Sequence, residues 1–516
     1  MKTQELKDKS GLTNIELAIL IIAASITITI VSTCSPLYPF NPWDDTNCFF
    51  TLGRGIIHGL VPYRDLYEQK GPLLYFIFAL TALISEKSFI GAWIIECIAA
   101  SVYAVFSWKI VKFFSEPPKY AIALMPLLLG VTYTIGMFNF GGNAEELCFP
   151  LMTVSFYFGL KAIAKGDGLP SKTEAFICGL LTGVLFWIKY TFIGFTAGFC
   201  IYILIIAIRN KDFKKLWSLV WRFLCGFVLV AVPILIYFAA NGALNALWEA
   251  YFYNNIFLYH VDFGNDGPAS IPVVRNFYNP ISILIFLSFQ FPSYGIMLLL
   301  TLMSLIFIPK QYRKKTILLF ALTFAIAAGT ALSRPTFIYY YGYHLAYSFC
   351  LIPLIFIKGL NLLDKKIKTR SNLVNVLITT VLVVFYIGTL LLNKNMYLFL
   401  QPKDSLAQFR IAETINEEKS DAKVLTYDVM DSGFYTAAGI LPQNRFYCFL
   451  NIEKSYPAVL EEQNRLIEEG YYDFIVTYYF YEPEWDNYRL VEEEIVPYVD
   501  YGGEHTLEGY KLYKRI

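Results

Sequence analysis

Long apolar runs separated by short polar stretches dominate the chain. A run of about 17–25 residues is the length of a helix that crosses a bilayer. Such runs occupy residues 14–34, 88–108, 120–138, 147–164, 217–239, 280–308, 316–332, 343–358 (short) and 373–392. Residues 173–208 suffice for two, broken near Trp187-Ile188-Lys189-Tyr190. The pattern predicts about eleven transmembrane helices.

The segment Pro72 to Ile84 is apolar but short, and whether it crosses decides the side of everything after it. Excess Lys and Arg marks the cytoplasmic side. If the segment lies along the interface, the clusters around Lys2/Lys7/Lys9, Lys109/Lys112/Lys119, Lys161/Lys165/Lys172, Arg209/Lys211/Lys214/Lys215, Lys310/Arg313/Lys314/Lys315 and Lys358/Lys365/Lys366/Lys368/Arg370 all fall on one face. If it crosses, most fall outside. The expectation is a juxtamembrane helix, with residues 35–87 forming an external loop, the N-terminus cytoplasmic and the C-terminus extracytoplasmic. The unusual polar residues then share the outer face: 44–70, 139–146, Lys189, 241–279 and 334–344.

Past residue 392 the pattern shortens to strand length at 424–428, 445–449 and 474–478, with helical periodicity near 406–418 and 458–469. Such alternation predicts a small extracytoplasmic α/β domain over 393–516, after a membrane domain over 1–392. No repeat and no low-complexity tract is apparent.

Composition agrees. Hydrophobic residues make up 56% of the 516-residue chain and charged residues 16%, against about 25% charged in a soluble domain. Mean hydropathy is +0.49. A net charge of +1 gives no reason to expect nucleic-acid binding. The 9 cysteines are scattered, without CxxC or Cys/His ligand spacing, so neither a disulfide framework nor a zinc site is indicated. The first run is long enough to span and lacks a small-residue cleavage site, which reads as a retained anchor.

The first loop carries Asn41-Pro42-Trp43-Asp44-Asp45-Thr46, Gly53-Arg54, Pro62-Tyr63-Arg64-Asp65 and Glu68-Gln69-Lys70-Gly71-Pro72. Carboxylates followed by cations, held against the bilayer, suit a lipid-phosphate leaving group and an acceptor that must lose a proton. Asp45, Phe49, Gly53-Arg54, Gly59, Pro62-Tyr63 and Lys70-Gly71-Pro72-Leu73 fall in an order that resembles family 39-type glycosyltransferases of the GT-C class. That group includes the lipid A aminoarabinose transferases and protein O-mannosyltransferases, in which an acidic residue heads this loop and a Lys-Pro-Pro-Leu-like segment closes it. Here Asp45 is followed by Thr46 and preceded by Asp44 where many members carry Asp-Glu. The choice between the two aspartates therefore rests on spacing to Gly53-Arg54, which favours Asp45.

The resemblance implies a GT-C-like helical membrane fold and transfer of a sugar from a polyprenyl-phosphate donor to an envelope glycan, lipid or protein acceptor. The reaction would invert the sugar at the external face of the plasma membrane, without metal or other cofactor. It implies Asp45 as the catalytic base and Lys70 as a phosphate ligand, with Arg54 and Arg64 in reserve. Arg64 could equally hold the loop by pairing with Asp65 or Glu68. Glu145, in Asn143-Ala144-Glu145-Glu146-Leu147-Cys148-Phe149-Pro150, looks like the family's Asn-Thr-Glu-x-x-x-x-Pro pattern, and spacing to Pro150 selects it over Glu146. Asp44, Glu145, Lys189, Tyr343 and His344 are candidates for the sugar or acceptor pocket. Lys189 could bind phosphate or snorkel, and the aromatics around His344 could stack on a sugar or form an interfacial belt. Glu96 reads as a structural contact, and 241–279, with Trp248 and His260, as a lid. A transporter or flippase of lipid-linked sugars is the alternative, although such proteins place ionisable groups near the bilayer midplane and often carry repeats.

Overall fold

The computed structural model describes residues 11–135, 138, 140–259, 284–285, 287–331, 339–366, 372–499 and 505–516. The expectations on Lys2, Lys7, Lys9, Arg334, Lys368, Arg370, Asn139 and the lid beyond residue 259, with His260, lie outside them.

The chain runs through α1 (Asn14–Val31), α2 (Asp44–Ile57), α3 (Pro72–Ile84), α4 (Ile90–Phe114), α5 (Leu124–Thr134), α6 (Ala144–Ala164), α7 (Lys172–Ile188), α8 (Ile193–Asn210) and α9 (Phe213–Ala240). It continues through α10 (Leu244–Leu247), which runs on as a π-helix over Trp248–Leu258, then α11 (Pro292–Ser304), α12 (Lys310–Ala331), α13 (Tyr339–Ala346), α14 (Pro353–Lys366) and α15 (Asn372–Leu391). Among the described residues, eight helical stretches are long and apolar enough to cross a membrane: Asn14–Val31, Ile90–Phe114, Ala144–Ala164, Tyr190–Asn210, Phe213–Ala240, Lys310–Ala331, Gly342–Leu362 and Asn372–Leu391. Pro72–Ile84, Lys119–Thr134 and Pro292–Phe307 are shorter apolar helices, and α7 has 17 residues. The protein is a multi-pass helical membrane protein with a small C-terminal sheet.

Lipid tails supply no hydrophobic drive between helices, so small residues that let backbones approach hold such bundles together. Gly179 on α7 sits against the Phe223 backbone of α9, and Gly226 on α9 against Phe176 of α7. Gly194 and Gly198 of α8 likewise meet the backbone of α12 at Ile326 and Leu322. The apolar residues Leu229 and Ile236 on α9 and Val384 and Phe385 on α15 remain exposed, as lipid-facing positions do.

The two ends of the bundle differ. Lys112 of α4 reaches Glu16 and the Gly11 carbonyl beside the start of α1. Lys161 and Lys165 pair with Glu174, Lys215 with Asp167, and Lys315 with the Gly166 carbonyl. These members of the predicted basic clusters thus lie at one end. At the other end, Ser32, just past α1, donates to Glu96 near the start of α4 (2.8 Å), and Trp93 Nε1 donates to Thr29 Oγ1 (3.1 Å). The chain between α1 and α4 therefore makes no net crossing, and the 14 residues of α2 and 13 of α3 are too few to span.

One expectation is corrected here. The stretch from Asp44 is not an aqueous loop but the buried helix α2. Asp45 in its first turn complements the helix dipole, and Gly53 replaces a side chain where α2 crosses the Phe78 backbone of α3.

The C-terminal segment packs onto this same end. It contains α16 (Ala407–Glu418), β1 (Val424–Thr426), α17 (Phe434–Ala438), α18 (Ala458–Glu468), β2 (Phe474–Tyr478), β3 (Tyr488–Val499) and β4 (His505–Arg515). The sheet order is β1-β2-β4-β3, with β1 and β2 parallel and the other pairs antiparallel. The expected strand at 445–449 is instead an irregular segment, tied by Thr426 N–H to the Tyr447 carbonyl and by Phe449 N–H to the Val429 carbonyl. The β3–β4 hairpin was not anticipated.

Candidate active site

Lys70 and Asp45 face each other. Lys70 Nζ lies 3.4 Å from Asp45 Oδ1 and 3.6 Å from Glu68 Oε1, and 5.5 Å from the centre of the Phe49 ring. The Lys70 side chain keeps 13% of its surface exposed and Asp45 9%, so the pair is shielded but not sealed. Glu68 also accepts from the Lys70 backbone N–H (2.7 Å) and from the Tyr75 hydroxyl. Sequence reasoning gave Glu68 only a loop-holding role with Arg64. Its signal was the i, i+2 spacing to Lys70, which in an extended segment puts both side chains on one side.

The cation is aimed by local backbone. Pro72 opens α3 at the first helical position, where its missing N–H costs nothing. Gly71 N–H donates to the Ile188 carbonyl at the end of α7 (2.9 Å). A Cβ on Gly71 would overlap the Trp187 carbonyl and lie 2.8 Å from that of Ile188. Gly71 has φ −72°, so what requires glycine is close approach, not backbone shape. This departure from the Lys-Pro-Pro pattern lays the Lys70 segment against the residue before Lys189.

Lys189 forms a buried ion pair with Glu145 at the start of α6 and also feels the charges of Lys70 and Asp45. Asp45 of α2, Glu145 of α6, and Lys70 and Lys189 from two connections therefore meet in one neighbourhood. Glu146 points elsewhere, into a hydrogen bond with Glu96 and one from Tyr343 (3.3 Å). Glu96 also accepts from Ser32 and from the Gly142 N–H (2.6 Å). Gly141 and Gly142 adopt positive φ there, and the Gly141 carbonyl accepts from Thr46, the neighbour of Asp45 (2.9 Å). His344 stacks on Phe192 at 4.0 Å and hydrogen-bonds Thr191 (3.2 Å), two residues past Lys189. Tyr343 and His344 are buried.

Three candidates lead away from the cluster. Asp44, one position before Asp45, is turned about 100° around the helix and accepts from Ser432 of the C-terminal domain (2.6 Å). Burial, together with the nearby carboxylates of Glu508, Asp45 and Asp431, pushes its carboxyl up to about 8. Arg54 donates to the Tyr435 carbonyl (3.1 Å) and lies 4.0 Å from Glu86. Arg64 is exposed, fully engaged by Asp65 through two 2.8 Å bonds, and donates to the Asn241 carbonyl. Asp44 and Arg54 thus engage the C-terminal domain, and Arg64 engages Asp65 and the Asn241 carbonyl. Among the described residues, no group of three or more His, Cys, Asp or Glu side chains is arranged to hold a metal ion.

An acid–lysine pair beside a second one, at the end of a membrane bundle, can bind an anion and accept a proton. Residues 69–237 match the family model described as dolichyl-phosphate-mannose-protein mannosyltransferase. This supports a GT-C-type glycosyltransferase classification. The matched stretch includes Lys70, Glu145 and Lys189 and begins after Asp45. No curated protein matches the chain.

Proposed function

We propose that this glycosyltransferase moves a sugar, with inversion, from a polyprenyl-phosphate donor to an envelope acceptor at the external face of the membrane. The observation that carries the reading is the Lys70–Asp45 contact at 3.4 Å, at the bundle end opposite the basic clusters. Lys70 exchanges its carboxylate partner for the donor phosphate and stabilises the charge that grows on it as the glycosidic bond breaks. Asp45, released from Lys70, takes the proton of the acceptor hydroxyl as that oxygen attacks C1 from the opposite face. Glu68 and the Glu145–Lys189 pair keep the two groups in place and shape the sugar pocket. The excess of Lys and Arg at the far end supports an external site.

General-base catalysis contributes about 10²–10⁴-fold, so Asp45→Asn, which keeps shape and removes basicity, lowers transfer by that factor. Lys70→Ala abolishes it. Both are read as release of polyprenyl phosphate from polyprenyl-phosphate mannose in native membrane vesicles, with membrane yield measured alongside. Undiminished activity in both variants removes the assignment.

A further inference from the structure

The C-terminal domain touches both arms of the Asp45–Lys70 pair. On the Asp45 side, Asp431 Oδ2 accepts from Thr51 of α2, Tyr435 supplies the carbonyl that Arg54 binds, and Gly433 packs against Phe40 and Asn47. Asp431 is fully buried and its other oxygen accepts from the Gly433 N–H (3.0 Å). On the Lys70 side, the Arg445 carbonyl accepts from Tyr67 N–H (2.9 Å) and Arg445 Nε donates to the Tyr63 carbonyl (2.8 Å). Gln69, next to Lys70, donates to the Leu450 carbonyl (2.8 Å).

We propose that the C-terminal domain is the jig that sets Asp45 against Lys70, with Asp431 and Arg445 as positioning residues that never meet substrate. α2 meets the linker and α3 through apolar packing, at Gly55 against Leu66 and at Gly53 and Phe49 against α3, whereas both arms are hydrogen-bonded to one folded unit. Losing a contact on either arm shifts one reacting group relative to the other, and a misplacement of about 1 Å costs up to about 10²-fold in rate. This inference rests on the transfer reading for its kinetic consequence, but the positional claim can be tested without turnover.

The experiment measures hydrogen–deuterium exchange over residues 44–57 and 66–71 together with kcat and KM for polyprenyl-phosphate mannose, using full-length protein in native membrane vesicles. Asp431→Ala and Arg445→Met each raise exchange in both segments and lower kcat about 10- to 100-fold, with KM for the donor within about threefold. Asp431→Asn restores both readouts, since its amide still satisfies Gly433 and Thr51. Arg465→Ala, at an exposed residue of the same domain paired with Glu462 and Glu469, changes neither. Unchanged exchange at 44–57 and 66–71 in Asp431→Ala and Arg445→Met overturns the proposal, whatever happens to kcat. If Asp431→Ala does not accumulate, Arg445→Met, at a partly exposed position, decides alone. If the wild type releases no polyprenyl phosphate from polyprenyl-phosphate mannose, mannose transfer fails and exchange still decides the positional claim.

Discussion

Gly71 shows how one missing atom places a charge. Its amide is tied to the end of α7, and any Cβ there would meet backbone that cannot rotate away. Gly71→Ala therefore separates the Lys70 linker from the Lys189 turn and destabilises the protein by about 1–3 kcal/mol, the usual cost of overpacking. The check is a lowered midpoint of thermal unfolding in detergent, with transfer reduced in the same sample; a wild-type midpoint would contradict the geometry. Lys70 and Asp45 were legible in the sequence because charged residues are conspicuous beside apolar runs. What Asp44, Arg54 and Arg64 do was not. Asp44 and Arg54 are held by Ser432 and Tyr435, some 380 positions away in the chain, and no local pattern carries that information. Helical geometry then separates Asp44 from Asp45, although in a loop the two would have remained interchangeable.

At the scale of elements, α2 was hidden by its own glycines. Pro42, Gly53 and Gly55 read as loop punctuation, yet Gly53 and Gly55 are small because α3 and Leu66 come close to them. The β3–β4 hairpin was hidden by Glu492-Glu493-Glu494, which interrupts the alternation that marks a strand. The contact of α2 with the C-terminal domain also has a chemical signature. Burial pushes Asp44 up to about 8, Glu508 up to about 7 and Asp431 up to about 6. The groups facing them are Asp45 and Arg54 on α2, Ser432 before α17 and Tyr510 on β4, and only Arg54 is cationic. The docked state holds these protons more tightly than a solvated carboxyl does, so it binds more protons than the undocked state at intermediate pH. By linkage, docking is strongest near pH 4 and weakens as pH rises toward about 8. Exchange at residues 44–57 should therefore increase between pH 5 and pH 8 beyond the intrinsic chemical rate, and Asp44→Asn should flatten that rise. A profile that becomes more protected with pH would reverse the sign and refute the account.

For the whole molecule, the question is which way the bundle faces. The polar cluster, the C-terminal domain and the juncture of α1 with α4 lie at one end, and Lys112, Lys161, Lys165, Lys215 and Lys315 at the other. Hydropathy alone left this open because it turned on one 13-residue helix. Charge along the chain favours no net crossing between α1 and α4, and the Ser32–Glu96 contact gives the same parity by a route independent of charge. Retention of Lys and Arg on the cytoplasmic side predicts that the end bearing Asp45 and Lys70 looks outward, and the sheet with it. Single cysteines read this directly. Phe480, 86% exposed in the turn after β2, and Lys172, exposed at the start of α7, lie at opposite ends of the molecule. In intact cells a membrane-impermeant maleimide labels Phe480→Cys and leaves Lys172→Cys unmodified until the membrane is opened. The reverse pattern would put the acid–lysine pair in the cytoplasm, where an acceptor from the external envelope cannot reach it, and the proposed reaction would fall with the orientation.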